Sequence, residues 1–62
     1  MIRKIQQRYF GNLVIEFESD YEAGEYLDTQ VKINCVPICT IAGNEIDNFY
    51  DELRNFISKF RI

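Results

Sequence analysis

The chain has 62 residues, enough for one small domain spanning 1–62, and a chain of that size buries only about 60% of the surface it exposes when unfolded. Its 47% hydrophobic and 15% aromatic content excludes a disordered segment. The net charge of −3 argues against direct nucleic-acid binding, which needs a basic patch, and the longest apolar run, Leu13-Val14-Ile15, is far too short to span a membrane.

Two strands are predicted over 2–10 and 13–18, on either side of Gly11-Asn12. Gly at the first of two central positions suits a type II′ hairpin turn. In the second strand Leu13, Ile15 and Phe17 alternate with Val14, Glu16 and Glu18, which makes it half-buried. The first alternates less cleanly: Ile5 fits one face, Tyr9 or Phe10 either. Residues 19–24 read as a looser connection. Over 25–36 the period of two returns, with Leu27, Thr29, Val31, Ile33 and Cys35 on one face. Pro37 has no N–H for a ladder and breaks this strand, so 38–41 is either a bent continuation or a short fourth strand. Ala42-Gly43-Asn44 leads into a helix.

That helix, predicted over 44–61, carries the clearest pattern in the chain. Ile46, Phe49, Tyr50, Leu53, Phe56, Ile57 and Phe60 fall on one stripe of a 3.6-residue period. Asn44 is the expected N-cap. Glu45 and Asp47 in the first turn and Lys59 and Arg61 in the last oppose the helix dipole, and Asp51 is placed to pair with Arg54. The stripe packs against the sheet, and it also suits an intermolecular helix pair. The resulting fold class is α+β: an antiparallel meander of three to four strands with one C-terminal amphipathic helix across one face. Leu13, Ile15, Phe17, Val31, Ile33 and Ile41 are expected to meet Ile46, Phe49, Tyr50, Leu53, Phe56 and Ile57.

The residues for most catalytic chemistry are missing. There is no histidine, hence neither the commonest general base nor the commonest metal ligand. Ser19 and Ser58 lie in no nucleophile elbow, and Gly11, Gly24 and Gly43 form no phosphate loop. Cys35 and Cys39 supply only half of a zinc ligand set, and four residues of extended chain hold them too far apart for a disulfide, so both are expected as reduced core thiols. No catalytic residue, cofactor or metal is expected, and the chain is not expected to be an enzyme. Polar Gln6, Gln7 and Arg8 after Met1-Ile2-Arg3-Lys4 give no signal peptide, which makes the expected location cytoplasmic.

One feature exceeds background. From Tyr9 to Val31 there is no basic residue, while Glu16, Glu18, Asp20, Glu22, Glu25 and Asp28 are all acidic and Tyr21 and Tyr26 lie among them. This is the candidate partner-binding surface: anionic and aromatic, suited to a basic protein, and in its sharpest form a mimic of nucleic-acid phosphates. It is equally what a hairpin needs to stay soluble. Tyr9, Phe10, Phe60 and Ile62 are the apolar residues beyond what the core needs, and they mark a candidate interface between copies of the chain.

Thr40-Ile41-Ala42-Gly43-Asn44-Glu45-Ile46, with Phe49, Leu53, Ile57 and the ending Lys59-Phe60-Arg61-Ile62, resembles the C-terminal ends of small uncharacterised proteins from phages and prophages of Gram-positive bacteria. The resemblance covers residues 40–62 and implies an accessory protein that acts by binding, with no enzymatic site. The expected function is therefore a non-enzymatic protein-binding module, a phage-type modulator or inhibitor of a host protein. The alternatives are a structural homo-oligomer, most simply a homodimer, and an acidic nucleic-acid mimic.

Overall fold

The computed structural model describes residues 2–60. Four strands, β1 (Ile2–Phe10), β2 (Leu13–Glu22), β3 (Glu25–Ile33) and β4 (Val36–Ile41), form one antiparallel sheet in sequence order. A 3₁₀ turn (Gly43–Glu45) then leads into α1 (Ile46–Lys59), which lies across one face. This is the predicted α+β meander, with the fourth strand formed. No helix among the described residues is long and apolar enough to cross a membrane.

Three two-residue turns set the register. Gly11 takes φ +60° and Asn12 keeps a negative φ, as a II′ turn requires. Ala23 and Gly24 both take positive φ, the I′ pattern, so β2 runs on to Glu22 where a loose connection from Ser19 was expected. The reason is lateral. Ser19 and Thr29 face each other across β2 and β3, fully buried, with their hydroxyls 2.7 Å apart. Thr29 donates its one hydroxyl proton to the Leu27 carbonyl at 3.1 Å, which makes Ser19 the donor in the pair. Polar residues that read as loop are thus satisfied inside the sheet. A bulge between Ser19 and Tyr21 follows.

The third turn corrects the expected path around Pro37. Asn34 (φ +50°) and Cys35 (φ +70°) form a second I′ turn, and β3 ends at Ile33. Asn34 fixes it. Its backbone N–H donates to the Val14 carbonyl and its side-chain oxygen accepts from the Val14 N–H, both at 2.9 Å. Pro37 stays within β4. The Ile33–Val36 pair closing a two-residue turn is hydrogen-bonded, so the next position turns its nitrogen to the free edge, where a missing N–H costs the sheet nothing. Cys35 and Cys39 are both exposed free thiols, not core residues: the first sits in the turn and the second on the edge strand.

The core is Ile15, Phe17 and Val31 from the sheet with Ile46 from the helix. Phe10, Ile33, Ile41, Phe49, Tyr50 and Leu53 pack around it half-buried, and Phe17 and Phe49 meet edge to face at 6.2 Å. Leu13 and Ile57 are also half-buried, but Phe56, expected in the core, is 60% exposed. The helix begins after the 3₁₀ turn, with Glu45 at the cap position and no side-chain cap bond, so Asn44 does not cap it. Arg54 does not pair with Asp51; its guanidinium lies 5.9 Å from the Phe10 ring and 5.7 Å from that of Tyr50. Asp47 and Lys59 do stand at the expected ends, and Arg61 lies outside the described residues.

Gly43 is buried against the backbone of Tyr26, and a Cβ there would overlap the Tyr26 carbonyl group. No side chain can yield to it, so Gly43→Ala is expected to cost about 1–3 kcal/mol, read as a lower urea midpoint. Cys35→Gly is expected to act the other way. Removing a left-handed residue with a side chain should gain about 0.5–1 kcal/mol after the added chain entropy of glycine, raising the same midpoint.

Candidate functional site

The pleat sends the acids of β2 to one face and leaves its core residues on the other. Ile15, Phe17 and Ser19 point to the helix side, so Glu16, Glu18 and Asp20 stand on the open face of the sheet. There β1 and β3 supply cations. Arg3 reaches the Glu18 carboxylate at 2.9 Å and Asp20 at 3.4 Å, and the Lys32 ammonium lies 3.0 Å from the other Glu18 oxygen. Glu18 lies opposite Ile5 on one side and Gln30 on the other, so both cations arrive along the diagonal of the ladder. Glu16 accepts from the Gln7 amide at 3.4 Å. Around Glu18 and Asp20 the predicted acidic face is therefore a cluster of internal ion pairs, while Glu16 keeps only its neutral Gln7 partner.

Glu22, Glu25, Tyr26 and Asp28 behave differently. Glu22 and Glu25 stand opposite each other beside the Ala23-Gly24 turn, and Asp28 follows beside the bulge; all three are exposed. None of them forms an ion pair among the described residues. Tyr21 and Tyr26 lie on the helix side of the same hairpin, edge to face at 5.0 Å, and the Lys4 ammonium caps the Tyr21 ring at 3.9 Å. Between this hairpin and the 3₁₀ turn is an open cleft of about 490 Å³, lined by Glu25, Tyr26, Leu27, Asp28 and residues 42–44. The tip thus holds two like charges in opposed positions, a repulsion that the folded chain bears rather than relieves. The Lys4–Tyr21–Tyr26 cluster was not foreseen. Its only signal was the one-residue-per-strand parity of a two-residue turn, which requires Ala23-Gly24 to be read as the turn first.

The four residues proposed as an interface between copies do not form one patch. Tyr9 is exposed on the open face, whereas Phe10 is half-buried under the helix, beneath Arg54. Phe60 is exposed on the helix layer, its ring 4.9 Å from Phe56, and Ile62 lies outside the described residues. No group of three or more potential metal ligands occurs among the described residues. No protein-family model matches the chain, and neither the curated proteins nor the solved structures contain a match.

The Lys32 hydrogen bond, the charge of Lys32 and then that of Arg3 hold the Glu18 carboxyl below its ordinary value of 4.5. A carboxyl lowered in the folded state stabilises the fold above its unfolded pKa, and that contribution disappears as pH falls through the folded value. Lys32→Met is therefore expected to flatten the loss of stability on the acid side, between pH 4.5 and the folded pKa of Glu18, leaving less difference between neutral and acid midpoints.

Proposed function

We propose that this chain works by binding another protein, and that the β2–β3 hairpin tip is where a basic segment docks. The observation carrying this reading is the split within the acidic segment. Arg3 and Lys32 occupy Glu18 and Asp20, while Glu22, Glu25 and Asp28 keep their charge unpaired among the described residues beside an open, tyrosine-lined cleft. A lysine- or arginine-bearing segment laid along the tip relieves the Glu22–Glu25 repulsion and gains the exposed face of Tyr26. The finer form, a phage-type modulator that occupies a host protein, draws on the likeness of residues 40–62. Phosphate mimicry is the weaker form, because the middle of the acidic row is neutralised from within.

The test is a titration of the labelled protein with a short Lys/Arg-rich peptide, followed by NMR. Amide shifts are expected at 22–28 and 42–44, weakening as ionic strength rises from about 0.05 to about 0.2 M. The triple variant Glu22→Gln, Glu25→Gln, Asp28→Asn is expected to lose them at a melting temperature equal to or above that of the wild type, because it removes the Glu22–Glu25 repulsion. Shifts that survive in that variant, or that centre on Glu16 and Glu18, would refute the assignment.

A further inference from the structure

The helix covers the sheet unevenly. Tyr50 donates to the Tyr9 carbonyl at 3.3 Å, Arg8 meets Asp47 at 2.7 Å, and Arg54 stands over Phe10, so α1 rests on the β1 and β2 side. The far side is left open. Cys39 and Val36 face the helix layer, since they lie opposite Val31 and Ile33, yet Cys39 is exposed and Val36 is 57% exposed. At 3.6 residues per turn Phe56 projects about 120° around the helix from Tyr50, and Phe60 about 80° in the same sense. Both therefore overhang the β4 side as a stacked pair, 60% and 70% exposed.

We infer that a second copy of the chain closes this side, in a two-fold arrangement that sets the two α1 helices antiparallel about Phe56. Charge favours a copy over another occupant. Exposed Glu52 precedes Phe56 by four residues and exposed Lys59 follows it by three. An antiparallel two-fold brings Glu52 of each copy against Lys59 of the other, making two complementary pairs at the rim. The β4 strand, Val36–Ile41, carries no charge to repel its equivalent. The unpaired acids of the hairpin tip sit at the other end of a molecule 43 Å long, because α1 ends beside Gly11 and Asn12 while Glu22 and Glu25 flank the opposite turn. Two chains of net charge −3 thus meet where their repulsion is least.

Area points the same way. Phe56, Phe60 and Val36 leave on the order of 300 Å² of surface exposed, at roughly 200 Å² per aromatic ring and less per aliphatic group. That is over a third of the ~800 Å² each partner gives to a standard interface, before the helix rim is counted.

Sedimentation equilibrium at about 10 μM, where a micromolar Kd populates the complex, decides the point. The wild type is expected at twice 7.4 kDa. Phe56→Glu is expected at the monomer mass with an unchanged circular dichroism spectrum. Glu52→Lys alone and Lys59→Glu alone are each expected to weaken association about tenfold, and the double exchange to restore it. A monomeric wild type would overturn the proposal. So would a dimer indifferent to Phe56→Glu, or single charge variants that the double exchange does not rescue, since those outcomes mean that another surface pairs or that a different protein covers this one.

Discussion

The helix can lie across β1 and β2 only because the chain leaving β4 passes in direct contact with the backbone of Tyr26, and Gly43 is the residue that permits it. From that crossing the rest follows. Ile46 enters the core, Phe49 meets the edge of Phe17, and Tyr50 reaches the Tyr9 carbonyl on the outer strand. The same contact forms one wall of the cleft beside the acidic tip, so the packing that closes the core also shapes the candidate site. One backbone-to-backbone approach therefore couples the hydrophobic layer to the polar end of the molecule.

Most of the architecture was legible in the sequence where a period and a turn residue agreed. Leu13, Ile15 and Phe17 alternate ahead of a clean polar set, Gly11 marks the II′ turn, and the stripe from Ile46 to Ile57 has helical spacing. Legibility failed where the deciding interaction was non-local. Ser19 looks like the end of a strand until Thr29 is placed opposite it. Cys35 looks like a buried strand residue until the Asn34 side chain is seen bonded to Val14, twenty residues away. The stripe also overstates the core, because helical spacing says which residues share a side but not how wide a surface the sheet offers them. Phe56 has the right phase and no floor beneath it.

The candidate site was legible in composition but not in organisation. Six acids without a basic residue between them suggest one anionic surface. The pleat does keep the acids of β2 on one face, but the cations that answer Glu18 and Asp20 come from Arg3 and Lys32, which lie outside or at the margin of the acidic stretch. Charge density along a chain does not reveal which charges are already spent inside the fold. What remains beside the Ala23-Gly24 turn is a smaller set without cations, and it adjoins the 3₁₀ turn that leads into the helix.

The turn of Pro37 toward the free edge of β4 has a further consequence. That edge lacks a hydrogen-bond donor at Pro37, and the irregularity between Val31 and Lys32 spoils its spacing. Another strand laid alongside finds an interrupted ladder. The opposite edge, β1, carries Arg3, Lys4 and Arg8, and its Tyr9 carbonyl is already taken. Neither border of the sheet is a good template for open-ended growth. A small chain with an unclosed sheet is thereby shielded from edge-to-edge growth into fibrils.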